Sequence, residues 1–440
     1  MKSISNLLSC LAPSLQSTSF RQLGIIIPAL LAMTGRVTML GISRWTDKGG
    51  SYRTVQRFFS SSIAWLNVHW LFIQSQFSDS DAEWIAAGDE TVVTKAGKST
   101  FGLGRFYSSL YGKPVPGLIF FAISLINVST RTSYPIYIKQ QPSSKKETSS
   151  NTPKSKSEIT NPTKKKRGRP KGSKNKNKTE VELSPHLIFV KTMISNVLRL
   201  IKGTIKLRYF VLDGAYGFNA AVQMVKQAGL EIISKLRINT ELYFPYDGPY
   251  AGRGPRRKYG KRVDYNKIPN QYLKETTTED GILTKSYQMT VWHKLFPQML
   301  NVVVIHKTNL KTEATAHVIL FSSDLDLGYD KIIDYYKLRF QIEFNFREAK
   351  QYWGLEDFMN VKETSVTNAV NLAFLMVNLS KAWITDNKSD NPNFSVEDLK
   401  AHFRGQKYVR EIIKLLPEKP DRILFSKIKV KIEAIGSINT

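Results

Sequence analysis

The sequence predicts a mixed α/β fold in a protein that handles a polyanion. Three observations carry that expectation. Apolar strands begin at Trp84, a strand-turn-helix-strand rhythm runs from Leu207 to Leu236, and 64 Lys+Arg face 36 Asp+Glu for a formal net charge of +28. Strands interleaved with helical segments pack as a sheet with helices against it. A cation surplus of this size gains affinity from phosphates, because neutralising them releases counterions. At 440 residues, 42% of them apolar, the chain can bury a large core and divide into two or three domains.

Residues 1–80 read as a helical N-terminal domain and a candidate DNA-binding region, broken by the Gly-Gly turn within Thr46–Ser51. In Ser51–Phe59, Arg53 and Arg57 stand one helical turn apart, which suits either a DNA-facing helix or an ordinary amphipathic one. No helix-turn-helix pattern is clean. The apolar run Leu23–Met33 is interrupted by Pro28 and is too short to span a membrane, so it is expected as a buried helix. It also begins too far inside the chain for a signal peptide. The single cysteine, Cys10, excludes an intrachain disulfide and a cysteine-based zinc cluster, and the six histidines show no paired spacing. The expected setting is cytoplasmic, with no membrane partner.

From Trp84 the pattern turns to strands: Trp84–Thr94, then Pro116–Val128 buried on both faces, then the alternating Arg131–Lys139. The Gly-Leu-Gly at 102–104 lacks the third glycine of a dinucleotide loop. Residues 141–182 lose all apolar pattern and hold eleven Lys with Arg167 and Arg169 against four acids, so they are expected to be a disordered basic linker. Pattern returns with a helix over Pro185–Ile201, a strand Leu207–Leu212, a helix Asn219–Ala228 and a strand Leu230–Leu236. Residues 237–325 read as mostly β, with alternation in Tyr287–Trp292, Asn301–His306 and His317–Phe321. A helix over Tyr336–Lys350, an apolar helix Val366–Trp383 and a basic tail over 386–440 complete the chain. The catalytic domain is thus expected over 81–385, interrupted by the basic linker and by the β-rich segment.

Three acids stand out against this background. Asp89 lies within the first strand and Asp213 ends a later one, where a carboxylate costs free energy unless it is paired or binds a metal. Asp213 could also serve as a turn-former before Gly214, and Asp89 could accept from loop amides. The third acid, Glu343, sits in YKLRFQIEFNFREAK with Tyr336, Arg339 and Lys350. On one continuous α-helix those four side chains fall within an arc of roughly 60°. Such a stripe suits an enzyme that cuts or joins a nucleic-acid backbone, since the carboxylate can hold a metal and the cations and phenol a phosphate. A solvated helix face with an Arg339–Glu343 ion pair is the plainer alternative. Arg347 shares the stripe by angle, whereas Glu348 points about 120° away from Tyr336.

Tyr336, Arg339, Glu343 and Lys350 match, without departure in spacing, the Tyr-(2)-Arg-(3)-Glu-(6)-Lys motif. The chain therefore resembles transposases of bacterial insertion sequences, the group typified by insertion sequence 4, from about Ala82 to Ile384. The resemblance implies a ribonuclease H-like catalytic core with Asp89 on strand one, Asp213 ending strand four and Glu343 on a later helix. It also implies that 237–325 is the insertion domain of this group. By the same resemblance the three acids hold two Mg²⁺ ions, with Mn²⁺ a substitute. Ions about 3.5–4 Å apart stabilise both the attacking and leaving oxygens and need only hard oxygen ligands. Metal-assisted hydrolysis at a transposon end would free a 3′-hydroxyl, which then attacks a target phosphodiester. Tyr336, Arg339 and Lys350 become phosphate-holding groups, with Arg in bidentate and Lys in point-charge contact. The implied partners are double-stranded DNA, as terminal inverted repeats and target, and a second copy of the chain in a synaptic complex.

Two further features bear on DNA. In related transposases an aromatic residue of the β-rich insertion can hold a flipped base, and Trp292 is the candidate here because an indole can stack on a base; a core tryptophan on an alternating strand is the other reading. Arg167-Gly168-Arg169-Pro170 resembles the core of an AT-hook, which enters a narrow A·T minor groove, or else belongs to a solvated basic linker. Two function classes remain beside the transposase: an inactive or domesticated DNA-binding protein, and a nuclease or resolvase on the same fold.

Overall fold

The computed structural model describes residues 3–76, 82–108, 112–141, 178–250, 252–388, 391–418 and 420–438. The basic run with Arg167 and Arg169 lies outside them. The chain opens with helices α1 (Ile4–Leu8), α2 (Ser17–Ala32), α3 (Met39–Trp45), α4 (Tyr52–Ser60) and α5 (Trp65–Ser75). Serine and threonine side chains cap α1, α3 and α4 by accepting from first-turn amides that lack a helical partner. On α4 the apolar Val55, Phe58 and Phe59 turn inward, leaving Arg53 and Arg57 exposed.

The sheet begins with β1 (Trp84–Thr94), β2 (Gly104–Ser108), β3 (Lys113–Asn127) and β4 (Thr132–Gln140). β1 pairs antiparallel with β3, and β3 pairs with β2 and β4. Helix α6 (Pro185–Ile201) then starts at a Ser184 cap with Pro185 in its first turn, where a missing N–H costs nothing. β5 (Leu207–Val211), α7 (Asn219–Gln227) and β6 (Glu231–Leu236) follow, β5 lying parallel to β1 and β6 parallel to β5. The order β4-β3-β1-β5-β6, with β1 in the middle, is the ribonuclease H-like core expected from the sequence.

The β-rich stretch forms β7 (Leu242–Pro245), β8 (Tyr259–Arg262), β9 (Leu273–Glu279), β10 (Ile282–His293), β11 (Met299–Asn309) and β12 (Thr315–Ser322). It is continuous with the core sheet, because β12 pairs antiparallel with β6 from Ile319↔Leu236 to Ser322↔Ile233. The chain ends in α8 (Tyr329–Leu338), α9 (Gln341–Tyr352), α10 (Glu363–Asn387), α11 (Val396–Leu415) and α12 (Arg422–Glu433).

Strand alternation sorts the core. Trp84 and Ala86 pack with α6 and α7 on one face, whereas Ile85 and Ala87 meet Tyr335 and Leu338 of α8 on the other. Further along that second face Val93 joins Ile342 and Phe346 of α9, Phe374 of α10 and the N-terminal helices in one cluster. Residues 3–76 therefore share a core with the C-terminal helices. Asn368 on α10 ties them together: its Nδ2 donates to the carbonyls of Phe58, Phe59 and Ser61, and its Oδ1 accepts from Trp65 Nε1.

One expected element is corrected. The helix over Tyr336–Lys350 is not continuous but breaks at Arg339–Phe340 into α8 and α9. There the bonding tightens to i→i−3, with Phe340 N–H to Lys337 O at 3.1 Å and Glu343 N–H to Phe340 O at 3.1 Å. The two pieces serve different cores: Leu338 packs beneath α8, while Ile342 enters the cluster shared with α10.

Candidate active site

Asp89 and Asp213 reach neighbouring positions through strand register. Ala87 on β1 is paired with Val211 on β5, and each acid lies two residues beyond that pair. Gly88 makes room behind Asp89, since a Cβ there would sit 2.7 Å from Phe121 Cζ and 2.8 Å from Phe210 Cζ. Asp213 follows β5, accepts from Ala215 N–H at 3.1 Å and caps a short 3₁₀ turn, so it does act as the turn-former that its context allowed. Its carbonyl accepts from Ser234 Oγ at 2.6 Å, which holds the turn against β6.

Arg339, at the break between α8 and α9, joins the strand to the helix. Its Nη1 donates to Asp89 Oδ2 at 2.8 Å and its Nη2 to Glu343 Oε1 at 3.0 Å. The guanidinium lies 5.8 Å from the centroid of the Tyr336 ring. Its Nε–H is buried without a protein partner. Burial opposes the Arg339 charge, but Asp89, Tyr336 and Glu343 outweigh it and raise the Arg339 pKa.

The Asp89 carboxyl is pushed up to about 6, first by burial and then by the charges of Asp213 and Glu343, against the pull of Arg339 and the Glu90 N–H. One guanidinium thus leaves this acid cluster short of positive charge. Tyr336 is raised as well, chiefly by burial, with Asp213 and Asp89 adding to the shift and Arg339 opposing it.

Lys350 stands apart from the acids. Its Nζ donates to Val92 O at 2.9 Å and pairs with Glu356 Oε1 at 3.3 Å, so it is fastened three residues further along β1 than Asp89. Trp292 lies far along the sheet on β10, half-buried, with Tyr259 edge-on at 6.1 Å and Lys258 Nζ 5.4 Å from its ring. Arg347 is exposed and leans on Phe344, while Glu348 accepts from Trp353 and Ser380.

Sequence reasoning missed a cluster beside Asp89. Glu90 Oε1 accepts from Tyr216 OH at 3.0 Å and lies 3.2 Å from His186 Nε2, which itself lies 2.8 Å from Tyr216 OH. These residues come from β1, the turn after Asp213 and the start of α6. The one local signal was Tyr216, three residues after Asp213.

The donor chemistry suits a hard divalent cation, because Asp89, Asp213 and Glu343 offer only carboxylate oxygen and their mutual repulsion calls for added positive charge. Among the described residues no three acidic, His or Cys side chains are gathered closely enough to hold a metal as they stand. Arg339 occupies an oxygen of Asp89 and one of Glu343 instead.

A family model described as "DDE superfamily endonuclease" matches residues 10–296. The match takes in Asp89, Asp213 and most of the sheet, and stops short of Glu343, which only the fold brings beside them. No curated protein matches the chain. Enzymes of this superfamily are nucleases acting on DNA, and they generally use divalent metal ions. With well over half of its length matched and a ribonuclease H-like sheet beneath the acids, the chain belongs to the DDE superfamily endonucleases.

Proposed function

We propose that this endonuclease is a transposase of the insertion-sequence type that cleaves DNA at the ends of its own element and joins the freed 3′-hydroxyl to target DNA. The observation that carries the reading is Arg339, whose guanidinium spans Asp89 and Glu343 in a cluster to which Asp213 adds charge. This is the acid set of the Tyr-Arg-Glu-Lys group, to which the chain is similar. Asp89, Asp213 and Glu343 would hold the divalent ions, Mg²⁺ or Mn²⁺, which when bound stabilise charge on the attacking and leaving oxygens.

The remaining residues position the phosphodiester. Arg339 has its buried Nε–H left over for a phosphate oxygen. Tyr336 lies beside that guanidinium and is half-buried, so it helps to exclude bulk water. Lys350 adds positive charge further along β1 while anchoring α9 to the strand. Trp292, in its half-buried aromatic and cationic surroundings, suits stacking on an unpaired base. Arg167 and Arg169 would enter an A·T minor groove. Two copies of the chain, each holding one DNA end in the cytoplasm, would form the working complex.

The test is Mg²⁺-dependent cleavage and strand transfer on DNA carrying the inverted repeats that flank the gene, comparing wild type with Glu343→Ala. Joined products from wild type alone are expected. Cleavage without joining would favour a nuclease or resolvase, and binding with neither would favour an inactive DNA-binding protein. Cleavage unchanged by Glu343→Ala would refute the acid assignment.

A further inference from the structure

Past the Ala87–Val211 pair β5 ends, and among the described residues the rest of β1 is paired only with β3. Cations mark this stretch of strand in order. Arg339 meets Asp89, Lys350 meets the Val92 carbonyl, and Lys95 directly follows the strand. Lys95 opens onto a cavity of about 760 Å³ whose wall also carries Arg36, Lys98 and Lys113, with Glu356 as its one acid among the described residues.

We propose that this pocket is a second DNA contact, holding the backbone of the substrate strand about 20 Å from Asp89, six residues along β1 at about 3.3 Å each. The inference rests on Asp89 marking the reaction centre. Lys98 and Lys113 are exposed, and Arg36 is 68% exposed with its pairing to Asp357 stretched to 3.6 Å, so these charges face the cavity and solvent. Lys95 is held in place rather than free: Nζ donates to the carbonyls of Glu356 and Phe358 and sits 3.4 Å from the centroid of the Phe358 ring. Burial lowers its pKa to about 8, and an incoming phosphate would favour its charged form. Phe358 and the 69%-exposed Met359 supply an apolar wall beside the cations. Cations for phosphates beside an apolar wall for sugar and base are the parts of a nucleic-acid contact that reads no sequence.

The experiment uses the full chain and fluorescence anisotropy with a 30-base-pair duplex and a single strand of the same length. Lys98→Glu/Lys113→Glu is compared with a charge-matched control, Lys274→Glu/Lys311→Glu, on exposed positions at the opposite end of the sheet. The pocket variant should bind at least about tenfold more weakly at 0.1 M salt, with the slope of log K against log salt shallower by about two, and the control should fall much less. Whichever of duplex and single strand loses more affinity identifies the form held there. Equal losses in both variants, or competition by inorganic phosphate as effective as by DNA, would overturn the proposal.

A second readout uses position. An iron chelate on Ser99→Cys, in a Cys10→Ser background, should cut the backbone about six nucleotides from the enzyme's own cleavage point at about 3.4 Å per nucleotide. Scission elsewhere would count against the pocket. If wild type binds but never cleaves DNA, the transposase reading fails while the anisotropy comparison still decides the pocket. If the pocket variant binds as wild type does while metal-dependent cleavage persists, the pocket alone is refuted.

Discussion

Arg339 Nη1 donates to Asp89 Oδ2 at 2.8 Å across 250 residues of sequence. This bond closes the site, because the same guanidinium also holds Glu343 and so fixes the start of α9 against β1. Arg339→Gln retains a donor but removes the charge and the fork. DNA cleavage is expected to fall by about 10²–10³, the scale set by losing one preorganised electrostatic contact. DNA affinity should change far less. A cleavage rate within a few fold of wild type would remove Arg339 from the catalytic apparatus.

Behind Asp89, Gly88 is packed against two rings. Gly88→Ala would force its Cβ within 3 Å of both Phe121 and Phe210. Overpacking of this kind costs about 1–3 kcal/mol, read as a lowered urea midpoint. Phe210→Leu combined with Gly88→Ala should recover part of the loss. An unchanged midpoint for the single variant would mean that the rings move aside freely.

Asn368 is the polar hub between the N-terminal helices and α10. Its buried amide donates to three carbonyls at the end of α4 and accepts from the Trp65 indole. Asn368→Ala strips those partners in the interior and is expected to cost about 2–4 kcal/mol. Denaturant unfolding followed by tryptophan fluorescence would measure it. Loss of the N-terminal helices with the sheet intact would show two cooperative units instead of one.

Lys400 supplies a pH-dependent term in stability. Its ammonium donates to Leu30 O at 2.9 Å and lies 4.8 Å from the Trp353 ring, and burial, with Arg404 nearby, lowers its pKa to about 8. The unfolded chain, with an ordinary lysine pKa of 10.5, binds more protons between these values. Stability from this group therefore rises with pH from about 8 towards 10.5 and is flat below 8. The difference in unfolding free energy between wild type and Lys400→Met should slope accordingly between pH 8 and 9.5. A flat difference would show that Lys400 keeps its ordinary pKa.

Much of the architecture was legible locally. Trp84–Thr94 and Pro185–Ile201 form over the residues that their patterns mark, since apolar alternation and a Ser-Pro helix start are carried by neighbours in sequence. The short β2, beginning at the last glycine of Gly-Leu-Gly at 102–104, carries no strand pattern of its own; it has five residues and pairs with the start of β3. Helical periodicity put Tyr336, Arg339, Glu343 and Lys350 on one stripe. That angle needs an unbroken helix, and the bend at Arg339–Phe340 is set by two separate cores that no local pattern reveals.

By itself, then, the sequence determined the main strands of the core, the acids at Asp89 and Asp213, the spacing of the Glu343 motif and the excess of positive charge. Only the tertiary structure decided that Arg339 bridges two acids and that Lys350 is fastened to Val92. It likewise assembled Glu90, Tyr216 and His186, and made the β-rich stretch an extension of the core sheet. The reason is physical. Periodicity and capping, like the four-residue step from Arg339 to Glu343, are energies between residues a few places apart, whereas the other contacts join residues from 30 to 258 places apart and exist only once packing has met the entropy of closing such loops.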